Sequence, residues 1–286
     1  MIFYLSLKQE TPKRDYWDYG LVEDLLRDLD FTGMETDSLP KVEKAIVLLP
    51  ARHHAGMEKE VNKELEKIEH VILFLMGDEE AEFDVEAISH PSIHIWVQNP
   101  HLKKHDKYNR IGTGYPGHLD ECLPENATKE YDLFFSGQIT HQRREELADA
   151  ILRYDPAGST TVLHRTKGFT QGLEPKKYYE ELAKAKIAPA PSGAVIPDSF
   201  RLFEAMECMS VVIADQKTAD GTIMEYWDWL FGNITPFIKT DNWNNLPSYM
   251  NEILEDYPQN IHRQTAWYLL WKRNLKQKIL EQWTKT

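Results

Sequence analysis

The chain is poor in cysteine: Cys122 and Cys208 are the only 2 among 286 residues. Two thiols so far apart make no disulfide framework, so the expectation is a fold held by its core in a reducing compartment. Long apolar runs are also missing. No stretch approaches the ~18 apolar residues of a membrane-spanning helix. The opening run from Met1 to Leu7 has no basic prefix and no small-residue cleavage site, so it reads as a buried strand and not as a signal peptide. A soluble, cytoplasmic protein is therefore expected. Positive charge is in the minority too, with 33 Lys and Arg against 46 Asp and Glu and a net charge of −13. That balance argues against a duplex-binding surface, which needs clustered Lys and Arg. The short pairs Arg143-Arg144 and Lys176-Lys177 suit a small anion or solvent better. Internal repeats and low-complexity segments are absent.

What is present is globular: 42% hydrophobic residues and 8 tryptophans, in a length that allows two domains with their own cores. Apolar runs alternate with amphipathic ones. In the first part, strands are expected over 2–7, 45–49, 71–76 and 93–97, with helices over 20–29 and 57–68. In the second, strands are expected over 131–136, 161–164, 187–190 and 211–214, separated by helices after Thr140, from Pro175 and over 200–208. This is β/α alternation, which implies parallel sheets with crossover helices. Glycine and proline gather without periodicity between Gly112 and Asn126. The expected organisation is a Rossmann-like domain over 1–112, a linker over 113–126, a second Rossmann-like domain over 127–257, and a tail of one or two helices over 258–286.

The densest chemistry lies between Ala190 and Asp215. A loop containing Ser192 and Gly193, flanked by prolines, precedes a helix for which Asp198 or Ser199 is the expected cap. A helix N-terminus with unpaired N–H groups attracts anions, and Arg201 in its first turn opposes the helix dipole unless an anion sits there. Glu204 follows on the same face, placed to accept hydrogen bonds from a hydroxylated group beside that anion. A nucleotide sugar meets both demands. The plain alternative is an Arg201–Glu204 surface ion pair worth a few tenths of a kcal/mol. Arg143, in the first turn of the helix after Gly137, and Lys167, on a loop after a strand, are further candidates for phosphate.

The string Ser199-Phe-Arg-Leu-Phe-Glu-Ala205, followed by Cys208-Met-Ser-Val-Val-Ile213, resembles the exostosin-like glycosyltransferases. Their nucleotide-sugar site carries a Ser-x-Arg-x-x-Glu-Ala run before a Gly-Cys-Ile-Pro-Val strand entry. Glu207 and Ser210 stand where that pattern has Gly and Pro. The resemblance extends through Trp229, Pro236-Phe237, Trp243 and Arg263-Gln-Thr-Ala-Trp267, covering roughly residues 130–280. It implies the GT-B fold, two Rossmann-like domains facing across a cleft with the C-terminal helices packed back. It also implies a nucleotide-diphosphate sugar donor, UDP favoured, held by Gly137, Arg143, Ser199, Arg201 and Glu204, beside the Lys167, Ser192 and Gly193 read from their loops, without a cofactor or metal ion. Inversion of configuration is the implied course.

An inverting transfer needs a base, because a sugar hydroxyl is a poor nucleophile until its proton is taken. Asp78 and Glu79 follow one strand of the first domain, and His53 and His54 follow another; Asp78 is the first choice. The partner expected there is a glycan or other hydroxyl acceptor. Rival readings are a sugar-nucleotide epimerase or hydrolase, a modifier of nucleic-acid bases or of proteins, and a non-catalytic nucleotide-sugar module. Three tempting motifs fail on context. Gly112-Thr-Gly-Tyr-Pro-Gly117 matches G-x-G-x-x-G but follows no apolar strand and opens no helix. Asp28-Leu-Asp30 ends an amphipathic helix, and His101 with His105 lacks the rest of a zinc set.

Overall fold

The computed structural model describes residues 1–8, 17–27, 33–99, 108–155, 157–168 and 171–284. Asp28-Leu-Asp30, His101 and His105 lie outside them. The chain forms two compact units, Met1–Gly117 with Trp271–Thr286, and His118–Leu270.

The first unit is built on β1 (Ile2–Leu5), α1 (Gly20–Leu26), β2 (Gly33–Thr36), β3 (Val42–Pro50), α2 (Glu58–Leu65), β4 (Ile68–Met76), β5 (Ile93–Val97) and β6 (Asn109–Arg110). Its strands form one parallel sheet in the order β2-β1-β3-β4-β5-β6. Residues 45–50 of β3 and 71–76 of β4 are buried without a break, the pattern of strands covered on both faces. Helix α2 places Val61 and Leu65 inward, and its Asn62 bonds the backbone at Ala87 and Ser89.

The segment expected to begin a linker is packed structure instead. Residues 111–116 are buried, and Tyr115 donates to Asp24 Oδ2 of α1 at 3.0 Å. A Cβ on Gly20 would stand 2.3 Å from the Tyr115 carbonyl oxygen, so α1 begins with glycine because the chain passes there at backbone contact.

The second unit comprises α3 (Leu119–Cys122), β7 (Tyr131–Gln138), α4 (Gln142–Tyr154), β8 (Thr161–Thr166), α5 (Pro175–Ala183), β9 (Ala185–Ala190), α6 (Phe200–Glu207), β10 (Val211–Asp215), α7 (Tyr226–Phe231), β11 (Ile238–Thr240) and α8 (Leu246–Glu255). Its sheet, again all parallel, runs β11-β10-β9-β7-β8. Leu133, Phe135, Ile187, Val211 and Ile213 of the sheet pack with Leu147 and Ile151 of α4 and with Leu246, Met250 and Ile253 of α8. The tail is one helix, α9 (Tyr257–Thr284), with Pro258 in its first turn, where the missing N–H has no intrahelical acceptor to lose. Its residues up to Leu270 belong to the second unit and those from Trp271 to the first.

Both sheets are doubly wound, with helices interleaved between parallel strands, and this is the α/β architecture of the GT-B fold. Within each, the strand order reverses once. The reversal falls between β1 and β3 in the first unit and between β7 and β9 in the second. Ligands of such sheets bind outside the carboxyl ends of the strands at that reversal.

Candidate functional site

At the reversal of the second sheet, β7 ends in Ser136-Gly137-Gln138 and β9 runs into Pro191-Ser192-Gly193. Arg201, in the first turn of α6, reaches across to the end of β7. Its Nε donates to the Ser136 carbonyl at 3.1 Å, and its guanidinium carbon lies 5.3 Å from the centre of the Phe135 ring. A Cβ on Gly137 would sit 2.2 Å from Nη2. Gly137 is therefore glycine because the guanidinium lies against its α-carbon. Among the described residues, Nη1 and Nη2 of Arg201 have no hydrogen-bond partner, and no carboxylate forms an ion pair with it.

Glu204 was expected to face solvent, either paired with Arg201 or ready for a ligand. It is 6% exposed and does not form the ion pair. Tyr179 donates to Oε1 at 2.9 Å and Tyr178 to Oε2 at 2.8 Å. Burial raises the Glu204 carboxyl above its ordinary range, opposed by the nearby Arg201 charge and the two tyrosine hydroxyls. Both tyrosines come from α5.

Arg143 is corrected most plainly. Its guanidinium is 3% exposed and bound to Asp215, with Nε at 3.2 and 3.1 Å from the two carboxylate oxygens and Nη2 at 2.6 Å from Oδ1. Nη1 bonds Glu146. Nothing of this cation is left to meet a phosphate. Asp215 is a hub that the sequence conceals: it also accepts from Trp243 Nε1 at 3.0 Å and from the Lys217 backbone at 3.1 Å. The Ser192 N–H lies 3.5 Å from its Oδ2. An aspartate closing the apolar strand Val211-Val-Ile-Ala-Asp215 was the available signal. Arg144, next to Arg143, holds the loop by donating to the Ser192 carbonyl at 3.1 Å from Nη2 and to the Gln138 carbonyl at 3.2 Å from Nη1.

The loop itself differs in detail from its expected form. Gly193 N–H bonds the Ile196 carbonyl at 3.0 Å, so that amide closes a turn. Ser199 holds the N-cap position of α6, but its side chain makes no capping bond; its hydroxyl donates to the Pro191 carbonyl at 3.3 Å. The first turn of α6 therefore keeps its amides uncapped by Ser199. Ser192 is wholly buried, yet its hydroxyl finds no partner among the described residues, a condition that native structures seldom leave unexplained. Lys167 is exposed on the loop after β8. The structure thus gathers Gly137, Ser192, Ser199, Arg201 and Glu204 around the ends of β7 and β9, and assigns Arg143 to scaffolding.

In the first unit, His53 and His54 follow β3, and Asp78 and Glu79 follow β4. His54 is fully buried. Its Nδ1 lies 2.8 Å from the Pro50 carbonyl, and its Nε2 accepts the Leu7 N–H at 3.0 Å. That pairing fixes a neutral ring protonated on Nδ1, and burial holds its pKa below the ordinary histidine value. Asp78, 4% exposed, accepts from the backbone N–H of Glu82 at 2.9 Å and of Phe83 at 3.2 Å. Both side chains brace loops, contrary to the expectation that they could act as bases. His53 is exposed and Glu79 half-buried.

The two doubly wound parallel sheets give the chain the α/β fold of the GT-B class. The profile of the RXYLT1 C-terminal domain family matches residues 113–286, and the chain belongs to that family, an exostosin-like glycosyltransferase domain. The crystal structure of Anabaena Alr3699/HepE in complex with UDP-glucose matches 100% of this chain and 99% of its own at 10% identity, with a TM-score of 0.50. The same protein with UDP and glucose gives the same TM-score at 9% identity. A glycosyltransferase from Rickettsia africae covers 97% of this chain and 90% of its own at 12% identity, with a TM-score of 0.41. No curated protein matches the chain by sequence. No helix among the described residues is long and apolar enough to cross a membrane.

Proposed function

We propose that the chain transfers a hexosyl or pentosyl group from a nucleoside diphosphate sugar to a hydroxyl of an acceptor, a glycan being favoured, with inversion and without a metal ion. The observation that carries this reading is Arg201. Its guanidinium is held against Gly137 at the strand reversal of the second sheet, with both terminal amino groups unpaired among the described residues. An arginine fixed there, beside a helix start that Ser199 does not cap and the buried Ser192 hydroxyl, is suited to a diphosphate. It stabilises the charge that develops as the nucleoside diphosphate leaves. Glu204 takes the ribose hydroxyls and Lys167 adds an exposed cation. UDP is the proposed nucleotide, supported by the UDP and UDP-glucose bound to the Anabaena protein of similar fold.

The base proposed for deprotonating the acceptor is Glu79 or His53, which follow β4 and β3 and reach solvent where Asp78 and His54 are buried. Titration with UDP, GDP, ADP and their sugar conjugates, followed by donor turnover with and without acceptor extracts, tests the reading. Acceptor-dependent turnover with an inverted anomer by NMR is the expected result. Epimer formation or binding without turnover contradicts it. Glu79→Gln or His53→Gln, whichever removes the base, lowers turnover about 10²- to 10⁴-fold with donor affinity held.

A further inference from the structure

We infer that Tyr178 and Tyr179 are positioning residues that turn the buried Glu204 carboxylate into a reader of the ribose diol, so that the site selects ribonucleotides over deoxyribonucleotides. The inference rests on the nucleotide reading above and extends it to two residues of a different helix.

A carboxylate offers about four lone-pair sites on two oxygens. In Glu204 each oxygen receives one phenol, Tyr179 on Oε1 and Tyr178 on Oε2. One acceptor site per oxygen remains, matching two vicinal hydroxyls. The phenols also fix the carboxylate plane, which a lone glutamate on a helix would leave to rotate. They are themselves held: the two rings meet edge-on with centroids 5.1 Å apart, Tyr178 leans on Phe134 and Tyr179 on His118. Glu204 lies three residues beyond Arg201, about 4.5 Å of helix rise, comparable with the span from a nucleotide's phosphate to its ribose hydroxyls. The i,i+3 pairing of Arg201 with Glu204 that the sequence allows does not form, because the tyrosines hold the carboxylate and Ser136 with Gly137 holds the guanidinium. Each of the two charged groups is thereby kept for a different part of one ligand.

Removing a donor has a second consequence. The groups facing Glu204 are Arg201 on its own helix, Tyr178 and Tyr179 on α5, and Cys208 at the helix end. Without a phenol the carboxyl moves further up, so a Tyr→Phe variant takes up its proton at higher pH and loses ribose recognition earlier as pH falls.

The test is calorimetry of UDP, 2′-deoxy-UDP, 3′-deoxy-UDP and inorganic pyrophosphate with wild type, Tyr178→Phe, Tyr179→Phe and Glu204→Gln. Wild type is expected to prefer UDP over the deoxy forms by about tenfold or more, as for a hydrogen bond to a charged group. In each tyrosine variant the preference falls several-fold, and in Glu204→Gln it collapses toward one, while pyrophosphate affinity holds in all. The preference of the tyrosine variants also fades at higher pH than in wild type, which a merely structural role would not produce. Should Tyr179→Phe fail to fold, the less buried Tyr178 and Glu204→Gln carry the test. Folded tyrosine variants with the wild-type preference and pH profile overturn the inference alone, as does a wild type that binds UDP and 2′-deoxy-UDP equally. A folded wild type that binds no nucleotide overturns the nucleotide reading itself.

Discussion

Arg201 and Arg143 occupy like positions, each in the first turn of a helix that follows a strand, and the sequence offers no means of ranking them. The structure separates them by what their donors meet. Arg143 has two carboxylates, one of them wholly buried, whereas Arg201 has one carbonyl and the bare α-carbon of Gly137. The contact with Gly137 gives a sharp expectation. A methyl group there collides with the far end of a flexible side chain, so Gly137→Ala displaces the guanidinium more than it harms the fold. Gly137→Ala and Arg201→Ala should each weaken UDP binding by about 1.5–3 kcal/mol, and the double variant should lose scarcely more than either. A double-mutant cycle by calorimetry checks this, since independent sites would add.

His54 gives an expectation of another kind. Its pKa in the folded chain lies below the ordinary 6.5, so the unfolded chain takes up the proton first as pH falls. The stability it contributes is complete above about pH 6.5 and is lost as pH drops below that value. Burial lowers His118 and His141 in the same direction. Urea denaturation at pH 7.5 and 5.5 should therefore show a loss of stability in wild type that is reduced, but not abolished, in His54→Asn. An equal loss in both would mean that the Pro50 and Leu7 bonds do not hold the neutral ring.

Among the elements, the end of β10 organises the second unit. Asp215 ties α4 through Arg143, the β9 loop through Ser192, and the turn before α8 through Trp243. Removing one partner of a buried ion pair strands the other, at a cost of about 3–5 kcal/mol. Asp215→Ala should destabilise the protein by that order in chemical denaturation, while Arg144→Ala, which breaks bonds to the Ser192 and Gln138 carbonyls, costs less. The long central strands and the helices after them were legible because an unbroken apolar run followed by an amphipathic one has few other readings. The short edge strands β2, β6 and β11 were not, since four residues or fewer carry no periodicity. The segment Gly112–Pro116 was misread as linker because its glycines signal a loop whether the loop is exposed or, as here, packed against Gly20 and Leu21. Pairings such as Arg143 with Asp215 and Glu204 with Tyr178 and Tyr179 join residues 25 or more positions apart, which a single sequence cannot reveal.

At the scale of the whole molecule, both units repeat one device: a parallel sheet whose strand order reverses once, with polar side chains carried on the loops beyond the reversal. In the second unit that place holds an arginine whose terminal amino groups are unpaired among the described residues, and a carboxylate set by two phenols. In the first, His54 braces the loop beside the reversal and Asp78 the neighbouring loop after β4. The family match over 113–286 lies mostly on the second unit, and so does the chemistry that the sequence announced. The motif at Ser199–Ala205 was legible because its Arg and Glu stand at a helix start beside a glycine loop. Which of its polar groups stay available to a ligand became visible only with the fold.

If Arg201 is the diphosphate anchor proposed above, the second unit binds a nucleoside diphosphate through it. Calorimetric titration of UDP into wild type and into folded Arg201→Ala tests it most directly. Wild type should bind saturably, with an affinity lower by about 1.5–3 kcal/mol in the variant. Undiminished UDP affinity in Arg201→Ala, or no binding of UDP, GDP or ADP by folded wild type, would contradict it.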